Sequence, residues 1–114
     1  MIYYILFLHW IADFVCQTEH VAQNKSKSWP VLLFHVGLYT FVLGLGCTFL
    51  KLETSTLMLF TITNGLFHFG VDSITAPLAK NFRERGDTHK FFCVIGGEQF
   101  LHCCCLIFTT SFMS

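Results

Sequence analysis

Four long apolar segments, separated by three short polar stretches, constrain the fold of this chain more than any other feature of its sequence. The segments cover residues 2–18, 29–50, 56–79 and 91–113. A helix needs about 20 apolar residues to cross the hydrocarbon core of a bilayer, and all but the first segment reach that length. The chain is also only 12% charged, whereas soluble domains carry about 25% charged residues. We therefore predict one all-α domain over residues 1–114, an integral membrane four-helix bundle whose first helix is short.

The polar stretches predict the connections and the orientation of these helices. Residues 17–28 and 80–90 are predicted to form loops and residues 51–55 a tight turn, and Pro77 is expected to bend or end the third helix. Basic residues concentrate in the first and third stretches, whereas the middle turn contains only Lys51. They are Lys25, Lys27, Lys80, Arg83, Arg85 and Lys90. The positive-inside rule places these two stretches in the cytoplasm, which predicts a multi-pass protein with both termini on the outer side.

Every apolar segment carries at least one ionisable side chain. Three of the segments hold pairs spaced i, i+4, which share one face of a helix, and the second segment holds a single histidine. The residues are His9 with Asp13, His68 with Asp72, Glu98 with His102, and His35. An aspartate or a basic residue at the centre of a membrane helix costs about 2.5–3.5 kcal/mol on insertion scales, so intramembrane ionisable residues indicate a function.

These seven side chains are predicted to lie at similar depths. Counting about 1.5 Å per residue from the cytoplasmic loops places all of them roughly 6–18 Å deep, in the inner half of the membrane. Carboxylates and imidazoles together form the ligand set of a transition metal, with zinc the first choice and manganese or iron as alternatives. We therefore predict a divalent metal site with ligands His9, Asp13, His35, His68, Asp72, Glu98 and His102.

A metal site of this kind predicts hydrolytic chemistry. A bound ion generates a nucleophile from water near neutral pH, and a carboxylate that is not needed as a ligand serves as general base. Asp13 and Glu98 are the candidates for this catalytic role. The substrate is expected to be a lipid or a lipid-linked phosphate that enters from the cytoplasmic interface, where Lys80, Arg83 and Arg85 would hold it.

Other functions fit the same pattern of residues. Acids and histidines strung along the membrane normal would form a proton or metal-ion transport module, and a homo-oligomer would favour that function. A third hypothesis is a phage or bacterial interaction protein that acts on the host envelope or on another membrane protein, with the buried pairs only specifying how the helices pack. No nucleic-acid partner is predicted, and the formal net charge of zero gives no indication of one.

Five motifs together resemble a known family. They are HWIADFVCQTE at residues 9–19, Ala22 with Asn24-Lys25, His35, HFGVD at residues 68–72 and EQFLH at residues 98–102. In this pattern the chain resembles domain-of-unknown-function family 3307, small integral membrane proteins of bacteria and phages. The family commonly has glycine where this chain has Ala12 and aspartate where it has Glu98. The resemblance implies a bacterial inner-membrane location, and the family is itself similar to inner-membrane proteins labelled metal-dependent hydrolases.

Overall fold

The chain folds into five α-helices in a computed structural model that describes residues 1–113. They are α1 (Ile2–Trp10), α2 (Glu19–Asn24), α3 (Trp29–Cys47), α4 (Thr54–Glu84) and α5 (Thr88–Thr110). A π-helical turn, Ile11–Val15, follows α1, and a 3-10 turn, Thr48–Leu50, follows α3. No strand occurs in this part of the chain, which confirms the all-α prediction. The number of helices differs from the predicted four because α2 lies in a stretch that was predicted to be a loop.

The short helix α2 begins at a well-defined cap. The side chain of Thr18 accepts a hydrogen bond from the backbone N–H of Val21 at 3.3 Å, the interaction that stabilises the first turn of a helix. Val21 is buried and packs this polar segment onto the rest of the molecule. The residue that caps the other end of α2 is Lys25, so this helix fixes where Lys25 enters the interior.

The predicted loop at residues 80–90 is mostly helical. Helix α4 continues through Pro77 to Glu84, and its 31 residues correspond to a length of about 46 Å, which exceeds the roughly 30 Å hydrocarbon core of a bilayer. The helix ends in a Schellman motif, in which Gly86 takes the left-handed conformation and Asp87 donates its N–H to the carbonyl of Phe82. The basic residues of the third polar stretch therefore lie mostly on the end of α4 and the start of α5.

Three helical segments are long and apolar enough to cross a membrane. They are Trp29–Leu50, Thr54–Glu84 and Thr88–Thr110. The first predicted span is not confirmed, because the continuous helix there covers only Ile2–Val15, and such a length is below the ~20 residues that a span requires.

The interior is divided between an apolar half and a polar half. Helix α4 packs along α3 and α5, while α1 contacts α3 and α5. Ile5, Leu43 and Leu106 belong to an apolar core at one end of this bundle. Large apolar side chains such as Phe41 and Leu59 are exposed on the outside, whereas ionisable groups fill the other half of the interior. This distribution reverses that of a soluble domain and suits helices that face lipid.

Candidate metal centre

All seven side chains that the sequence predicts as metal ligands are buried, each with no more than 4% of its surface exposed. Helix α1 and the π turn supply His9 and Asp13, α3 supplies His35, α4 supplies His68 and Asp72, and α5 supplies Glu98 and His102. The seven side chains therefore share one region of the interior, as expected for residues at similar depths. The assignment of each residue as a ligand stays a prediction.

The π turn sets the position of Asp13. A π-helical turn is wider than an α-helical one and often occurs at a functional site. Asp13 lies at the middle of this turn and points both of its carboxylate oxygens into the interior: Oδ1 lies 3.1 Å from His35 Nε2, and Oδ2 lies 3.1 Å from Gln99 Nε2. Asp13 thereby connects the start of the chain with α3 and α5.

Four donor atoms converge on one small volume in the interior. They are Asp13 Oδ1, His35 Nε2, His68 Nε2 and Asp72 Oδ2, and together with the second group described below they form the candidate metal centre. Both histidine nitrogens lie 3.1–3.5 Å from the two carboxylate oxygens, and they lie 3.0 Å from each other. Tetrahedral zinc with bonds of about 2.0–2.1 Å to nitrogen and oxygen has its ligand atoms about 3.3–3.4 Å apart. Five of the six donor distances, 3.0–3.5 Å, therefore match one tetrahedral ion.

A second group of donors adjoins the first and shares Asp13 with it. It consists of Asp13, Glu98 and His102, each of which offers an atom within 4.8 Å of the others. His102 Nε2 lies 3.1 Å from Asp72 Oδ1 and 3.6 Å from Glu98 Oε1. His102 therefore contacts Asp72 through Oδ1, whereas His35 and His68 contact it through Oδ2.

His9 lies outside both groups and instead takes part in a hydrogen-bonded chain. Its Nδ1 lies 2.9 Å from the hydroxyl of Tyr39, and its Nε2 lies 2.8 Å from Gln99 Oε1. With the proton on Nε2, the Tyr39 hydroxyl donates to His9, His9 donates to Gln99, and the amide of Gln99 donates to Asp13 Oδ2 at 3.1 Å. Such outer contacts fix the orientation of a ligand and raise the affinity for a metal.

The ring of His68 is held between two other rings. Tyr39 stacks on it at a centroid distance of 3.9 Å, and His102 lies 4.2 Å away on a nearly parallel plane. These contacts restrict the rotation of the His68 side chain, which keeps its Nε2 directed at His35 and Asp72. Tyr39 follows His35 by one helical turn, so the i, i+4 spacing was the sequence signal for its presence at the site.

Lys25 belongs to the site although it is not among the residues that the sequence predicts there. Its ammonium lies 3.2 Å from Asp72 Oδ2 and 3.9 Å from Glu98 Oε1, and its side chain is only 11% exposed. Burial disfavours the charged ammonium, but the carboxylates of Asp72, Glu98 and Asp13 outweigh this effect and raise the pKa of Lys25 above its ordinary value. In the sequence, only its place in the Asn24-Lys25 motif indicates a role at the site, because a lysine in a polar connection is ordinarily solvated.

The charge of this site depends on its histidines, because protonation of His35, 3.1 Å from Asp13 Oδ1, and of His102, 3.1 Å from Asp72 Oδ1, would balance it. Asp13, Asp72 and Glu98 contribute three negative charges and Lys25 one positive charge, so the site carries a net charge of minus two when its histidines are neutral. Metal-binding histidines are neutral, and a buried net charge of this size is costly without a counter-ion. A single divalent cation neutralises the site.

The two remaining histidines are separate from the site. His20 and His89 are exposed. Gln17 lines a cavity together with Lys25 and Glu98.

The comparisons with known proteins identify a family and no individual relative. No curated protein and no solved structure matches this chain. The family described as a protein of unknown function (DUF3307) matches residues 1–114, which is the whole chain. This chain therefore belongs to the DUF3307 family.

Proposed function

We propose that this chain is an integral membrane protein that binds a divalent transition metal, zinc first, and hydrolyses a lipid-associated substrate. The observation that carries the proposal is the convergence of two carboxylate oxygens and two imidazole nitrogens at mutual distances of 3.0–3.5 Å for the five measured pairs. Asp13, His35, His68 and Asp72 would hold the ion.

The same geometry argues against a proton relay or an ion path as the function. A relay needs its groups strung along the membrane normal, whereas these donors meet around one point. Three groups, His35, His68 and Lys25, are all directed at the single oxygen Asp72 Oδ2 within 3.4 Å. This convergence is typical of a coordination site.

A network of ion pairs that serves only the fold would have to keep two histidines protonated. Buried pairs that merely specify packing are expected to neutralise one another. Here Lys25 offsets one of the three carboxylates, so His35 and His102 would have to carry the other two positive charges. With the neutral imidazoles of a metal site, the excess of two negative charges is instead the complement of a divalent cation.

The candidate catalytic base, Glu98, is not one of the four proposed metal ligands. When bound, a divalent ion supplies Lewis-acid activation of water and of the carbonyl or phosphoryl group under attack. Glu98 is outside the four-ligand group, lines the adjoining cavity and is held by His102 at 3.6 Å. In the hydrolytic step Glu98 takes a proton from water, whose oxygen bonds to the carbon or phosphorus. The bond to the leaving oxygen then breaks, and Glu98 returns the proton to that oxygen.

The placement in a membrane rests on the three apolar helical segments and their basic ends. Lys25, Lys80 and Arg83 all line one cavity, so the first and third connections lie at the same end of the molecule. The positive-inside rule then favours a cytoplasmic location for this end. A bacterial inner membrane is the proposed location.

The test is hydrolysis by the zinc-loaded protein in phospholipid nanodiscs. Lipid esters and lipid-linked phosphates would be supplied in turn, and the products would be measured by mass spectrometry. Glu98→Gln keeps the shape of the side chain but removes the base, so we expect the rate to fall by about 10²–10⁴-fold with the zinc content unchanged. Glu53→Gln, at an exposed position, is the matched control. An unchanged rate in Glu98→Gln, or no hydrolysis of any substrate, would contradict the proposal.

A further inference from the structure

A cavity of about 230 Å³ adjoins the candidate metal centre at the end of the molecule that carries the basic residues. The connection between α1 and α3, the last turns of α4 and the first turns of α5 form its walls. Its polar lining comprises Gln17, Lys25, Ser26, Lys80, Arg83 and Glu98. The cavity therefore extends from a group of the metal centre, Glu98, to exposed residues at the surface.

Positive charge dominates this cavity. Three cationic side chains face one carboxylate, and that carboxylate already has Lys25 3.9 Å away. Lys80 pairs with Glu84 at 3.3 Å, but the Glu84 side chain is 60% exposed and pairs at the surface contribute little. Arg83 forms no ion pair within residues 1–113, and a guanidinium presents paired N–H donors that match phosphate oxygens. The lining is suited to a multiply charged anion.

One wall of the cavity is apolar. Phe91, Phe92 and Ile95 follow one another along the first turns of α5, and Phe92 is 63% exposed. Opposite them, Gln17 Oε1 is buried and has no hydrogen-bond partner among the residues that the structure describes. An acceptor of this kind would be satisfied by a hydroxyl on a ligand. The cavity thus combines cationic groups that suit an anion, an apolar wall and a free hydrogen-bond acceptor.

We infer that this cavity binds the phosphate-bearing headgroup of an amphiphile, with the phosphate on Lys25, Lys80 and Arg83 and the acyl chain along the Phe92 side of α5. This inference rests on the proposed function, because it names the substrate class of the metal centre whose Glu98 lines the cavity. The phosphate enters from the headgroup layer, where α4 extends beyond the hydrocarbon core. It lies next to Glu98 and therefore within reach of the proposed reaction.

The experiment measures binding of a ligand that cannot be hydrolysed. A dihexyl ether phosphonate analogue of phosphatidic acid, which has neither a carboxylic ester nor a phosphate ester bond, would be titrated into the zinc-loaded full chain in detergent micelles, with calorimetric detection. Inorganic phosphate and uncharged dihexyl ether glycerol would be titrated separately, because they test the anionic and the apolar parts of the cavity. We expect the analogue to bind at least tenfold more tightly than inorganic phosphate or the uncharged glycerol lipid.

Paired variants assign this binding to the cavity. Replacing Lys80→Gln and Arg83→Gln together should weaken binding of the analogue at least tenfold, which is about 1.4 kcal/mol. Lys80→Arg with Arg83→Lys keeps both charges and should restore most of the affinity. Lys90→Gln is the matched control, because Lys90 lies over the ring of Phe82 and outside the cavity lining, so binding should not change.

The zinc content of each sample separates this inference from the proposed function. Equal affinity in the parent and in the double glutamine variant would overturn the headgroup site, as would binding of inorganic phosphate as tight as that of the analogue. Either result with zinc retained leaves the metal proposal intact. Binding that depends on Lys80 and Arg83 in a protein that holds no zinc would support the headgroup site and contradict the proposed function.

Discussion

Replacing Lys25 by methionine tests whether its ammonium partly neutralises the carboxylates of the site when no metal is bound. Methionine keeps the length and the apolar stem of lysine but removes the charge, which leaves Asp72, Glu98 and Asp13 without a positive neighbour. At 3.2 Å from Asp72 Oδ2, the ion pair is worth about 5 kcal/mol of Coulomb attraction at an effective dielectric constant of about 20. Breaking such a buried pair typically costs about 3–5 kcal/mol, and this is the loss of stability that we expect for the metal-free protein.

The metal-loaded protein should lose much less stability, because a divalent ion neutralises the same carboxylates and is no longer repelled by the ammonium. The four states form a closed cycle, so the difference in stability must appear as tighter metal binding. We expect Lys25→Met to raise the affinity for zinc at least tenfold, or by about 1.4 kcal/mol.

The assay combines reversible unfolding in mixed micelles, followed by circular dichroism, with competition for zinc by a chelator. Lys27→Met is the control, because Lys27 is exposed two residues away and has no role in the site. Weaker zinc binding in Lys25→Met, or equal effects of Lys25→Met and Lys27→Met on both measurements, would refute this reasoning.

Two further predictions concern the hydrogen-bonded chain that orients Asp13. Replacing Gln99→Leu removes the amide that donates to Asp13 Oδ2, so the affinity for zinc should fall by about 10–100-fold in chelator competition, whereas Gln23→Leu at an exposed position should leave it unchanged. An affinity unaffected by Gln99→Leu would mean that Asp13 is not a ligand. Replacing Tyr39→Phe removes the hydroxyl that donates to His9 and should lower the free energy of unfolding by about 1–3 kcal/mol while zinc is retained, and loss of zinc would show that the hydroxyl acts more directly.

The sequence brings the seven polar side chains to one level of the bundle because helical rise is a one-dimensional quantity. It predicts contacts between helices poorly, because those depend on how each helix is rotated and on where it bends. The π turn at Asp13 is such a case: no residue in Ile11–Val15 signals it, yet it allows Asp13 to contact both α3 and α5. His9 shares the predicted i, i+4 spacing with Asp13, but its Nε2 lies 3.8 Å from Asp13 Oδ2 and only 2.8 Å from Gln99 Oε1.

The boundaries between helices and connections were the weaker part of the prediction for a physical reason. Hydropathy separates residues that face lipid from residues that face water, but a helix continues into water where its sequence permits. Helix α4 therefore continues beyond its apolar stretch to Glu84, and α2 forms in a polar connection because Thr18 caps it and Val21 is buried. The position of Lys25 depends on α2, and this is why the lysine was missed.

The most direct test of the account is the metal content of the purified chain, measured by elemental analysis in detergent without added metal. The account predicts about one divalent transition-metal ion per chain in the parent, loss of that ion in His68→Ala and its retention in His89→Ala, where the histidine is exposed. A parent protein without a stoichiometric ion, or a His68→Ala variant that keeps the ion as well as the His89→Ala control does, would contradict the metal centre.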